Sequence, residues 1–225
     1  MGSRRSRFAV LAGAVLVLAA CGDITIVGDD DAILGSGRIV SETREVTGFD
    51  QVDIVSSGDV IVGVTGEDSL VIEADDNLLP LLTSTVSDGR LVLGVRPNTS
   101  ISPSQEVVYR ITAAELVGFV VLGSGNVTIT DLHSDEFSVT VLGSAMIDLA
   151  GTADVLRVSL PGSGTIDASR LDAVKAVVSI NGSGSVTVDA SDELEGSING
   201  SGTIAYLGTP TVRQSINGSG SVGPA

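Results

Sequence analysis

The sequence predicts an all-β chain whose C-terminal half is a solenoid of roughly 18–20-residue coils. Three observations carry that prediction. A Gly-Ser-Gly element recurs at near-regular spacing, apolar residues fall into columns when its copies are aligned, and the composition suits stacked strands. The 225 residues include 28 Gly and no Trp, and aromatics make up only 3%. Val, Ile and Leu therefore supply the core, and small β-branched residues suit strands stacked face to face.

The element occurs at Gly123-Ser124-Gly125, Gly143-Ser144-Ala145, Gly162-Ser163-Gly164, Gly182-Ser183-Gly184, Gly200-Ser201-Gly202 and Gly218-Ser219-Gly220, with spacings of 20, 19, 20, 18 and 18. A period near 20 is too short for a pair of helices. It fits one coil of a solenoid, which buries its apolar face only against its neighbours. Aligned on the first Gly, Val121, Val141, Leu160, Ile180, Ile198 and Ile216 form one column. Val127, Ile147, Ile166, Val186, Ile204 and Val222 form a second, and Ile129, Leu149, Ala168, Val188 and Tyr206 a third. Residues two apart share a strand face, so the second and third columns line one interior wall, and Thr128, Asp148, Asp167 and Thr187 point outward. Gly-Ser-Gly is then the corner between strands, its small residues letting coils stack at about 4.8 Å.

The last three corners read Ser-Ile-Asn-Gly-Ser-Gly, which repeats Asn181, Asn199 and Asn217 at equal intervals. An amide both donates and accepts, so the three form a structural ladder with paired groups in a low-dielectric stack; a sugar-binding row is the alternative. The first half repeats more loosely. Gly35-Ser36-Gly37 and Ser57-Gly58-Asp59-Val60 resemble the same corner, strands are expected near 60–64, 70–74, 91–95 and 107–112, and 75–82 reads as a turn or single helical turn capped by an acid. The last coil stops after one column position, with Pro224 as its blunting device, so its open edge is expected to pair with a second copy or another envelope protein, or to fray.

Arg4, Arg5 and Arg7 precede an uncharged apolar run from Phe8 to Leu18 and the small pair Ala19-Ala20. Residues 1–20 read as a secretory signal, the run being too short for the ~30 Å hydrocarbon core of a bilayer. Leu18-Ala19-Ala20-Cys21 resembles the bacterial lipobox, which implies that Cys21, the single cysteine, carries diacylglycerol and a further chain such as palmitate. Residues 21–34 then form the lipidated end and an acidic tether, and 35–225 one folded domain. The expected location is the bacterial cell envelope, at the outer membrane or periplasmic face.

Losing residues 1–20 removes three of the 12 basic groups and none of the 28 acids, leaving a net charge near −19. Nucleic-acid binding, which needs cations on phosphates, is excluded on that balance. Catalytic chemistry also lacks its parts. His133 is the one histidine, placed in what reads as a loop, so zinc and Cys-His sites fail on residue count. Asp131, Asp148, Asp167 and Asp189 drift relative to their repeat Gly and do not converge. No cofactor, metal or catalytic residue is assigned.

Glu42-Thr43-Arg44-Glu45-Val46-Thr47-Gly48-Phe49-Asp50, Ser57-Gly58-Asp59-Val60, Glu73-Ala74-Asp75-Asp76-Asn77-Leu78-Leu79 and the repeated Gly-Ser-Gly together resemble the putative auto-transporter adhesin, head GIN domain family, over about residues 35–222. The resemblance implies a right-handed parallel β-helix-like fold on lipoproteins or secreted proteins, and it brings no catalytic residues. The functional expectation is a non-catalytic, adhesion-like binding module that meets a glycan or envelope protein. The alternatives are a self-associating structural or stress-associated envelope protein and, last, a carbohydrate-active β-helix enzyme.

Overall fold

The computed structural model describes residues 32–225; the leader, Cys21 and most of the tether lie outside the described residues. Asp31–Ala225 form one compact unit. Among the described residues every buried apolar side chain lies between Val46 and Ile204, so this unit carries its own core.

The N-terminal part contains β1 (Ile33–Leu34), β2 (Ile39–Arg44), β3 (Gln51–Ile54), β4 (Asp59–Val64), β5 (Ser69–Asp75), a 3-10 turn at Leu79–Leu81, β6 (Leu82–Ser87), β7 (Arg90–Val95), β8 (Ile101–Ser102), β9 (Val108–Ala113) and β10 (Gly118–Val121). The solenoid proper follows with β11 (Asn126–Val141), β12 (Met146–Leu160), β13 (Thr165–Ile180), β14 (Ser185–Gly200), β15 (Thr203–Leu207), β16 (Thr211–Gly218) and β17 (Ser221–Pro224). Its strands pair in parallel, each with the next coil. The fold is thus the expected all-β parallel solenoid.

Each of β11 to β14 is long because it crosses two walls, bending at a break in register such as Ile129/Leu132 or Asp148/Ala150. The second expected column holds register partners throughout, whereas the third is interrupted between Leu149 and Ala168 by the break at Asp148/Ala150. Val127, Ile147, Ile166, Val186, Ile204 and Val222 pair in turn, and all but the last are buried. His133 lies inside β11, beside the bulge where Asp131 has φ 58°, and not in a loop. A strand continues there because the bend needs only one residue of left-handed backbone, which Asp tolerates.

The N-terminal end departs from simple winding. β10 pairs with β3, and β3 in turn with β7, so the β3–β4 coil is sandwiched between coils that come later in the chain. Beyond them the strands turn antiparallel, β2 on β5 and β5 on β9 along one wall, β6 on β7 along the other. These antiparallel strands close the core at this end. At the opposite end β16 and β17 form the last layer. Ile216 is 40% exposed there, and Gln214 stands at the inward register position opposite Gly196. Pro224, which has no amide hydrogen to offer, stands on the same layer opposite Tyr206.

Two expectations change here. Gly35-Ser36-Gly37 is not a stacked corner, and the acid before the 3-10 turn does not cap it. Asp75 is fully buried, and its carboxylate accepts from the Gly37 amide (2.7 Å), the Ser104 amide (2.9 Å) and the Ser104 hydroxyl (2.6 Å). Next to it Asp76 accepts from the Ser36 hydroxyl (2.6 Å), and Asn77 bonds both the Ser36 amide and the Leu34 carbonyl. The Asp-Asp-Asn run is a latch on the incoming chain. A buried charge is tolerated only with such a set of donors, so the residues that suggested a cap are committed to a more distant segment.

The Ser104 hydroxyl, followed by the surrounding amides, holds the Asp75 carboxyl below its ordinary 3.8 against the opposing effect of burial. A depressed folded value stabilises the protein above the ordinary value, and that contribution disappears as pH falls through the native one. Acid unfolding below about pH 4 should therefore include release of the Gly35–Arg38 segment. Asp75→Asn should destabilise at pH 7 and flatten the pH dependence in the acid range, as read by hydrogen exchange at Gly37 and Ser104. Unchanged exchange in the variant would show that the latch is not held by this charge.

Candidate functional site: the corner ridge and the flanking groove

Two surfaces of the solenoid repeat along its axis. The first is the ridge of Gly-Ser-Gly corners. Each corner is built by backbone: Ser144, Ser163, Ser201 and Ser219 donate their amides to the carbonyls of Gly123, Gly143, Gly182 and Gly200 at 3.0–3.3 Å. A second set runs from Met146, Thr165, Ser185, Thr203 and Ser221 to Gly125, Ala145, Gly164, Gly184 and Gly202 at 3.0–3.1 Å. A Cβ on Gly143, Gly162, Gly182, Gly200 or Gly218 would fall on the carbonyl oxygen of the coil before it. Gly164, Gly184, Gly202 and Gly220 face the same crowding from the carbonyls of Ala145, Gly164, Gly184 and Gly202, and from core side chains. Gly200 and Gly218 additionally have φ of 139° and 133°.

Asn181, Asn199 and Asn217 stand on this ridge in register, and the Asn217 amide donates to the Asn199 side-chain oxygen at 3.2 Å. All three are exposed, so the expected low-dielectric stack does not exist. The inward partner of the pattern is the preceding Ile, buried at Ile180 and Ile198.

The second surface is an open groove of about 940 Å³ on the flank by the bend, lined among others by Glu115, His133, Ser134, Thr152, Asp154 and Asp172. His133, Thr152 and Asp172 are successive register partners, one per coil. The His133 Nδ1 lies 3.0 Å from the Asp131 carbonyl oxygen, and the Ser134 hydroxyl donates to the Glu136 carbonyl at 2.8 Å. Histidine and serine are neighbours in sequence but each is turned to backbone, so they form no nucleophile–base pair. Among the described residues no group of three or more His, Cys, Asp or Glu is placed to hold a metal ion, and no helix is long and apolar enough to cross a membrane.

Beside the groove runs a cross-coil ion ladder that the sequence reading missed. Arg157 meets Glu136, Lys175 lies 3.0 Å from Glu193 and 2.8 Å from Glu195, and Arg213 meets Glu193. The hydrogen bond and charge of Glu136 raise the Arg157 pKa. The signal was present: these opposite charges stand 18 to 21 residues apart, one coil period. Exposed pairs of this kind contribute about 0.2–1 kcal/mol each, enough to favour register but not to hold the stack.

Fold and surfaces together define a parallel β-solenoid that presents one row of atoms per coil. The putative auto-transporter adhesin, head GIN domain family matches residues 48–210, and the chain belongs to that family. Among solved structures it is similar to a putative adhesin from Bacteroides fragilis, with 24% identity, a TM-score of 0.69, and coverage of 86% of this chain and all of the other. A putative lipid binding protein from Parabacteroides distasonis has 25% identity, a TM-score of 0.57, and coverage of 86% and 99%. A putative adhesin from the same species has 19% identity, a TM-score of 0.59, and coverage of 87% and 100%. No curated protein matches the sequence.

Because the ridge amides face water and the neighbouring isoleucines face the core, Asn199→Leu should change stability by less than about 0.5 kcal/mol. Ile198→Ala, one residue away, should cost about 2–5 kcal/mol in urea unfolding. A larger loss for Asn199→Leu than for Ile198→Ala would restore the buried ladder.

Proposed function

We infer that this chain is a cell-envelope binding module, held to the membrane by acyl chains on Cys21, that engages its ligand through the outer surface of the solenoid without chemical turnover. The observation that carries this reading is the groove at the bend. It offers a repeating set of hydrogen-bonding side chains, one set per coil, with His133 and Ser134 both committed to backbone. Membership of an adhesin-type family supports a role at the cell surface.

The groove's chemistry narrows the ligand. Glu115, Asp154 and Asp172 repel anions, while hydroxyl and carboxylate groups at regular intervals suit an uncharged, polyhydroxylated polymer. A neutral glycan lying across the coils is therefore the favoured ligand class. The test is a glycan array probed with residues 32–225, and the expected result is binding to neutral glycans that Asp172→Arg weakens. Uniform silence, together with concentration-dependent oligomers in sedimentation, would replace this reading with that of a self-associating structural protein.

A further inference from the structure

The solenoid is divided lengthwise by charge. Along the ridge there is no Asp, Glu, Lys or Arg in 116–130, 137–147, 158–166, 176–188, 196–212 or 214–225. Apart from Arg213, the charged residues of the same coils fall in 131–136, 148–157, 167–175 and 189–195, on the bend or on the walls leading to it, where Asp148 and Asp167 stand two residues beyond Met146 and Thr165. At the near end Asp53 is engaged by Arg90 (2.9 Å) and Asp59 by the Asn126 amide (2.9 Å), while exposed Glu106 stands beside the corner at Ser57 and Ser124.

Over the first coils the ridge is also apolar. Val55 is 51% exposed, Leu122 45% and Leu142 52%, with exposed Pro161 continuing the column and Met146, 54% exposed, beside it. The fold does not impose these side chains. The core is filled by the inward neighbours Ile54, Val121, Val141 and Leu160, and the same ridge position holds Asn181, Asn199 and Asn217 farther on. A polar residue is therefore compatible with the corner, and the apolar ones form an unpartnered strip about 14 Å long at the coil rise of ~4.8 Å. None of its side chains lines the grooves at the bend, at the Ser57 corner or beside Arg213. It fits a deformable apolar phase.

We propose that this strip is a membrane-contact edge: Val55, Leu122, Leu142, Met146 and Pro161 seat in the headgroup–acyl boundary of a bilayer while the charged flank faces water. The arrangement is the solenoid counterpart of an interfacial amphipathic helix, apolar on one side and charged on the other. It differs in having no basic residues to recruit anionic lipid. With a net charge near −19 once residues 1–20 are lost, the chain should prefer a zwitterionic surface, and the neutral ridge is the side that can approach one. Proximity rests on the reading of Cys21 as the lipid anchor. The eleven residues 21–31 span at most about 36–40 Å, so an anchored chain holds the strip at high effective concentration over the bilayer.

The test uses residues 21–225 coupled through the Cys21 thiol to a maleimide lipid in phosphatidylcholine vesicles. Met146 is the only methionine in that chain, so peroxide oxidation to the sulfoxide, followed by mass, reports on the strip. Oxidation should be several-fold slower on vesicles than for the same chain capped with a soluble maleimide. Phosphatidylglycerol in the vesicles should reduce the protection, and Leu122→Asp with Leu142→Asp should abolish it at an unchanged thermal midpoint. Equal rates on and off vesicles would overturn the proposal, as would protection that survives the double substitution. Protection of the soluble form that grows with protein concentration would assign the strip to a second copy instead. Since the coupling is chemical, the outcome does not depend on acylation in the cell. The intact mass of the wild-type membrane fraction reads the anchor separately, and a mature N-terminus other than Cys21 would remove the anchor while leaving the strip to the vesicle result.

Discussion

The solenoid depends on one steric fact: at its corners, successive coils approach so closely that no Cβ fits on the first glycine. The space a Cβ would take is held by the carbonyl oxygen of the coil before, and several of those oxygens accept an amide from the next coil. Relief by separating the coils would break hydrogen bonds on both sides of the corner, and each one lost costs about 0.5–1.5 kcal/mol. Contact and hydrogen bond therefore reinforce one another, and strand spacing along both walls follows from them. The apolar columns can then touch from coil to coil, which is how Ile166 and Val186 become fully buried between aliphatic register partners. Third-position residues obey a looser form of the rule, since Ala145 stands where other coils have Gly.

What was legible in the sequence is what repeats. The second column, from Val127 to Val222, is an unbroken set of register partners because every coil solves the same packing problem with nearly the same residues. The Asn row was legible in position but not in environment. Alternation places Ile180 inward and Asn181 past the end of the wall, where the chain turns and alternation no longer assigns a side. The ion ladder was readable in principle, because Glu136 and Arg157 differ by one coil period.

Non-periodic features were not legible. That β3 lies between β10 and β7 reflects a choice of partners among similar Val- and Ile-rich strands, and nothing local to any one of them encodes it. The latch was hidden for a related reason: Asp75 binds Gly37 and Ser104, 38 and 29 residues away. Its proximity to a helical turn suggested a local role that burial overrides. The candidate surfaces divide the same way. The ridge follows from the repeat, and the groove follows it in part: His133, Thr152 and Asp172 are one coil period apart, whereas Glu115 joins them from outside the repeat.

Gly162→Ala tests the corner constraint most directly. Gly162 does not have left-handed backbone, so an added methyl carries no conformational strain of its own and meets the Gly143 carbonyl and, less closely, the Leu142 carbonyl oxygen. Ser163→Ala, at the exposed tip of the same corner, is the matched control. The account predicts that Gly162→Ala lowers stability in urea unfolding by about 1–3 kcal/mol or more, while Ser163→Ala stays within about 0.5 kcal/mol of wild type. Coinciding midpoints for the two variants would contradict it, because the coils would then have room that the corner is held to lack.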